Sequence, residues 1–221
     1  MAGIWYVNNA GLLGATYLLG SIPTGYCLGK WLKGIDIREH GSGSTGATNV
    51  LRVLGKGPGL VVLLLDILKG ALAIALVQYC YALWASQLAP VASDWLPSMT
   101  VLAGFAAILG HSKPIWLQFE GGKSVATSLG ILVMMNWQVA LATLVVFILV
   151  LALSRIVSLS SLVAALSLPL WMYLFEQPWP YLGFSILGGL YVVIRHRSNI
   201  QRLFTGHEPK LGSTPPLQDA P

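Results

Sequence analysis

SVATSLGILVMMNWQVALATLVVFILVLALS, residues 124–154, contains no charged residue. One straight helix needs about 20 apolar residues to cross a bilayer and two need about 40, so this stretch is too long for one crossing and short for two. Lys123 precedes it and Arg155 follows it. Cations flank membrane helices on the cytoplasmic side, so both ends are expected on the same face. The stretch therefore reads as a tight helical hairpin turning near Asn136-Trp137-Gln138, its arms tilted or buried among other helices.

The rest of the chain extends that reading. Of 221 residues, 55% are hydrophobic and 10% charged, against about 25% charged in soluble domains. Further apolar runs occupy about 4–28, 58–80, 99–112, 157–175 and 180–194, beside the hairpin arms 124–136 and 138–153. The first is not a cleavable signal peptide, because no positive region precedes it. Lys30, Lys33, Arg38, Arg52 and Lys56 fall in the first connection, Lys113 and Lys123 in the third, and Arg155 in the fifth. Arg195, Arg197, Arg202 and Lys210 lie in the tail, and Lys69 alone sits within a span. The N-terminal stub and the connections 81–98, 136–137 and 176–179 carry none.

This alternation predicts an all-α polytopic membrane protein of seven transmembrane helices, N-terminus outside and C-terminus cytoplasmic. Trp84, Trp95, Trp171 and Trp179 fall at the outer ends, as an interfacial belt requires. Residues 1–208 form one domain, and the tail 209–221, with Pro209, Pro215 and Pro216, is expected to be disordered. The net charge of +5 follows from topology and calls for no nucleic acid. Cys27 and Cys80 lie in apolar segments without metal spacing and read as small core residues.

Three polar segments converge on the cytoplasmic face. In IDIREHGSGSTGATNVLR (35–52), Gly41 and Gly43 permit positive φ and expose successive N–H groups around Thr48 and Asn49, a geometry that cradles phosphate oxygens. Arg38 and Arg52 supply guanidinium forks. The plain alternative is a flexible solvated loop. In GHSKPIWLQFEGGKSVATSLG (110–130), Gly121, Gly122, Lys123 and Ser124 open a helix, so free N–H groups meet a lysine. The GxxxxGK[ST] spacing of a nucleotide loop is absent, and a helix start with an interfacial lysine is the alternative. In RHRSNIQRLFTGHE (195–208), His196 and Asn199 share a helical face. Arg195 and Arg202 can add phosphate contacts, while Glu208 suits pairing with a cation; alone, the segment equally fits a positive flank. Asp66 and Lys69, at i,i+3 inside a span, read as a mutually neutralising structural pair.

No HxxxD, GxSxG, DxxD or HExxH pattern occurs. The carboxylates on this face are few, namely Asp36, Glu39, Glu120 and Glu208. Neither a metal nor a cofactor is expected, and catalysis is expected to rest on positioning and charge stabilisation.

Over nearly its whole length the chain resembles the bacterial integral-membrane acyl-phosphate:glycerol-3-phosphate acyltransferases. The likeness rests on GSIPTGY, DIREHGSGSTGATNVLR, LDILKG, GHSKPIWLQFEGGKSVAT, SRIVSLSS and RHRSNIQRLFTGHE, in that order. Membership implies a seven-span fold in the bacterial inner membrane and acyl transfer from acyl phosphate to the 1-hydroxyl of sn-glycerol 3-phosphate. It implies lysophosphatidic acid and phosphate as products, and a monomer working in the lipid bilayer on its cytoplasmic face. By motif, Ser42 and Arg52 are the essential pair of the first segment. Gly121, Gly122 and Lys123 form the phosphate element, Ser161 adds a polar contact, His196 and Asn199 are activity residues, and Glu208 is structural. The chain departs from the family at Ser44, where asparagine is common, and at Lys113, where an aromatic is common. The rival reading is a membrane transporter for a small phosphorylated anion; a third is an assembly factor without turnover.

Overall fold

The computed structural model describes residues 2–212, with side chains except at 2–4 and 85–93. Among these residues it is all-helical, with nine α-helices and two short 3₁₀ turns.

The apolar run 4–28 expected as one span is broken. α1 (Ala2–Gly20) and α2 (Thr24–Lys33) meet at Ser21-Ile22-Pro23. Pro23 has no N–H and disfavours helical backbone at Ile22. The Ile22 carbonyl accepts Lys69 Nζ at 3.0 Å, which anchors the break to the next long helix. Gly20 lies against the Ala107 backbone where a Cβ would collide, so glycine alone permits this approach.

α3 (Ala47–Leu54) leads into α4 (Lys56–Ser112). Helical bonding runs through 81–98, which the sequence predicts as an outer connection. Asp66 and His111 nevertheless approach to 3.7 Å, whereas a straight helix would hold them about 68 Å apart at 1.5 Å per residue. α4 therefore doubles back. Tyr81 and Trp84 pack against Trp5 and Met99 returns to the core, so the reversal falls between 84 and 99. The expected spans 58–80 and 99–112 are its two limbs.

α5 (Val125–Met135) and α6 (Trp137–Ser154) are the arms of the predicted hairpin. They are separated by Asn136 alone, whose extended backbone ends one helix and whose side chain accepts the Val139 N–H at 2.9 Å to start the next. α7 (Val157–Leu174), α8 (Trp179–Arg195) and α9 (Arg197–Phe204) complete the bundle. Both limbs of α4 contribute to the core, with Ile74, Val77, Ala103 and Ala107 packed among Ile131, Val139, Met172 and Phe184. α4 and α5 approach through glycine, since a Cβ on Gly70 would meet Thr127 O and one on Gly130 would meet Ile67 O.

Among the described residues, three helical segments are long and apolar enough to cross a membrane: Lys56–Trp84, Trp137–Ser154 and Val157–Leu174. Of the tail expected to be disordered, 213–221 lie outside the described residues. Leu211 exchanges bonds with Arg155, its N–H to Arg155 O at 2.6 Å and its carbonyl to Arg155 Nη2 at 3.2 Å.

Candidate active site

A cavity of about 390 Å³ runs into the bundle from the ends of α3, α5, α8 and α9. Ser42, Thr48, Arg52, Lys123, His196 and Asn199 line its polar end; Leu63, Leu132, Phe147, Leu168 and Phe184 line its apolar depth. Residues from all three polar segments thus meet around one space.

The first loop is built by Asn49. Its side chain is buried, accepts the Ser42 N–H at 2.7 Å, and holds the carbonyls of Ile37, His40 and Ser44 at 3.2, 3.0 and 2.9 Å. Gly41 and Gly43 take the positive φ the sequence predicts, 61° and 69°. Asn49 organises the loop, and Ser42, Thr48 and Arg52 are left at the cavity wall. Ser44 lines the wall too, its Oγ accepting the Gly46 N–H at 3.3 Å. Arg38 is turned away from the described cavity lining. It grips Asp36 at 2.7 Å, donates to Leu117 O at 3.1 Å and lies over the Tyr26 ring.

The glycine pair does something other than the sequence predicts. Gly121 N–H donates to Ser112 O and Gly122 N–H to His111 O, each at 3.2 Å. These N–H groups are engaged within the protein and are not free for an anion. The carbonyls of Gly121 and Gly122 accept Arg195 Nη2 at 3.4 and 2.9 Å, which is where one of the expected phosphate contacts went. Free N–H groups come instead from the first turn of α5, whose Val125 and Ala126 line the cavity. Ser124, in left-handed backbone at φ 63°, lines it as well, and its hydroxyl donates to Ile108 O at 2.9 Å.

Lys123 Nζ donates to Asn199 Oδ1. Asn199 Nδ2 donates to Glu208 Oε1 at 2.6 Å, the same oxygen that accepts Ser158 Oγ at 2.7 Å. Arg202 Nε completes Glu208 at 2.7 Å through Oε2. Burial raises the Glu208 carboxyl, but these hydrogen bonds outweigh it and hold it below its ordinary range. Burial brings the Lys123 ammonium down to about 8, with Glu208 opposing and Arg202, Arg52 and Arg195 adding to the shift. Burial likewise lowers Arg52, which stays a cation at neutral pH. His196 is pushed down to about 4, chiefly by burial. Its Nδ1 lies 2.8 Å from Val192 O. A carbonyl only accepts, so Nδ1 carries the proton and Nε2 is the free acceptor. Ser161 lines the wall, its Oγ donating back to Val157 O at 2.9 Å.

Among the wall residues that sequence reasoning missed are Ser128, Thr143, Ser158, His111 and Asp66 itself as lining. Asp66 Oδ1 accepts Thr24 Oγ1 at 2.7 Å and pairs with Lys69 at 2.9 Å. The signal for His111 was its place in GHSKP, three residues before the proline that leads a turn. Among the described residues no group of three His, Cys, Asp or Glu gathers to hold a metal.

The family model described as glycerol-3-phosphate acyltransferase matches residues 10–206. A glycerol-3-phosphate acyltransferase of Trichormus variabilis is 61% identical over 214 residues, covering 95% of both chains. One of Synechocystis sp. is 54% identical, over 91% of this chain and 90% of the other. Among solved structures, PlsY, an integral membrane glycerol 3-phosphate acyltransferase, aligns in its glycerol 3-phosphate form with a TM-score of 0.80 and 38% identity, over 93% of this chain and 96% of that one. Its lysophosphatidic acid form aligns at 0.77, again 38% identical, over 92% and 95%.

Proposed function

The chain belongs to the glycerol-3-phosphate acyltransferase family and is an integral membrane enzyme acylating glycerol 3-phosphate; from this premise we propose that its acyl donor is an acyl phosphate. The products are then 1-acyl lysophosphatidic acid and inorganic phosphate. The same reading makes it a monomer with seven spans in the bacterial inner membrane, N-terminus outside, the site opening to the cytoplasm. The observation that carries it is one cavity joining Arg52, Lys123 and a helix N-terminus to an apolar depth. An acyl phosphate and glycerol 3-phosphate together present two phosphates and one alkyl chain, which match those halves.

In this arrangement Arg52, Lys123 and the α5 N–H groups hold the phosphates and oppose charge building on the carbonyl oxygen. Ser42 orients the acyl phosphate. The 1-hydroxyl attacks the acyl carbon, the acyl–phosphate bond breaks, and the hydroxyl proton passes to the departing phosphate. His196 Nε2 accepts a hydrogen bond from the hydroxyl and aims it. An imidazole with a pKa of about 4 is too weak a base to keep that proton at neutral pH.

His196→Gln is expected to lower kcat only a few-fold, since an amide can donate to Val192 O and still accept from the hydroxyl. A loss on the order of 10²–10⁴ in single-turnover rate makes His196 the base and sinks the phosphate-assisted route. The reaction itself is tested with purified protein in detergent, where no second compartment exists. Phosphate release from acyl phosphate should require glycerol 3-phosphate; binding of both without release makes the protein a carrier.

A further inference from the structure

A second, apolar groove of about 270 Å³ lies beside the cavity, lined by Ile67, Leu129, Val133, Trp137, Leu141 and Leu144, with Ala140 at its base. Ile67, Leu129 and Leu144 line both spaces, so the groove continues the apolar depth along the α5–α6 hairpin. A path between α4 and α5 is closed by the Gly70–Thr127 and Gly130–Ile67 backbone contacts. The lining residues form a ladder: Leu129 and Leu144 near the cavity, then Val133 and Leu141, then Trp137 at the hairpin tip. Resting on the acyl-transfer reading above, we propose that this groove takes the distal part of the acyl chain and that Trp137 sets its preferred length.

The dimensions fit this role. α5 spans Val125–Met135, a rise of roughly 16 Å from the Lys123 end to the hairpin tip. Carbon–carbon bonds of about 1.5 Å at about 111° advance a saturated chain by roughly 1.25 Å per carbon, so about 13 carbons cover that rise. A chain of about 13 carbons therefore ends near the Trp137 indole. Carbons beyond it meet a bulky side chain standing 64% exposed at the rim and gain no further groove.

The test measures kcat/KM over a homologous series of saturated acyl phosphates for the wild type, Trp137→Ala and Leu141→Trp. Trp137 and Leu141 are both exposed to the groove side, so neither change disturbs the core. In the wild type, kcat/KM should climb with each methylene that gains packing contacts in the groove and then stop climbing at the length that reaches Trp137. Trp137→Ala should move that break to longer chains. Leu141→Trp should move it to shorter ones and cost the longest chains on the order of tenfold, leaving short chains within about twofold. If both variants keep the wild-type profile while turning over, Trp137 sets no length and the proposal fails, with the acyl-transfer reading intact. Absence of turnover by the wild type on every acyl phosphate overturns that underlying reading instead.

Discussion

Lys123→Met is expected to lower kcat/KM by on the order of 10³ while raising the melting temperature at pH 7. The activity loss follows from removing a donor and a charge from the phosphate end of the cavity, an effect of 10²–10³ for one such donor and more where a full charge is lost. The gain in stability follows from proton linkage. Lys123 sits at about 8 in the folded protein against an ordinary 10.5. Between those values the unfolded chain holds the proton more tightly, so stability falls as pH drops through that window and stays reduced below 8. At pH 7 the buried ammonium therefore destabilises the fold by roughly 3 kcal/mol, against about 2 kcal/mol for the charge-assisted hydrogen bond to Asn199 that is lost with it. Thermal melts in detergent from pH 7 to 11 should show the variant ahead at pH 7 and the lead vanishing above 10.5. A variant that melts lower at pH 7 refutes the account. In the wild type, kcat/KM should fall above pH 8 as the free enzyme loses this proton. The corresponding limb in kcat should lie higher, because bound phosphate restores the charge.

Gly122→Ala is expected to cost both stability and activity through a single added methyl. A Cβ there would collide with the His111 ring, which is buried and held beside Asp66, so the ring could give way only toward the cavity it lines. Overpacking of this kind costs about 3 kcal/mol, and a shift of the turn on the order of 1 Å moves the Lys123 ammonium enough to lose about 10² in kcat/KM. The control is Gly183→Ala in α8, where a Cβ meets nothing within 4 Å; there stability should hold or rise slightly, since alanine favours helix. Comparable melting temperatures for the two variants contradict the packing argument.

Periodicity and charge placement carried much of this fold. The uncharged stretch after Lys123 does turn at Asn136, and the three polar segments do meet. Where the sequence reading departed from the structure, the missing information was usually a partner that local spacing did not name. Glycines before a lysine resemble an anion cradle, yet Gly121 and Gly122 are small because His111 and Pro114 press on them. Arg38 has a phosphate-binding side chain, but Asp36 two residues earlier takes it. Asp66 and Lys69 reveal their pairing at i,i+3, whereas His111 and Thr24 join them only because α4 reverses and α2 starts alongside. The loop asparagine Asn49 reads as a ligand contact until its hydrogen bonds to the loop are seen.

The bonds converging on Glu208 also make the polar end of the cavity depend on a residue close to the end of the described chain. Lys123 leans on Asn199, Asn199 on Glu208, and Glu208 simultaneously on Ser158 and Arg202. A chain without residue 208 would bring Arg52, Lys123 and Arg195 toward one another with no carboxylate bonded to Asn199 or Arg202. Only when the ribosome has delivered residue 208 does that neutralising group arrive. The polar end of the cavity is thus completed by the last of its lining residues to be translated.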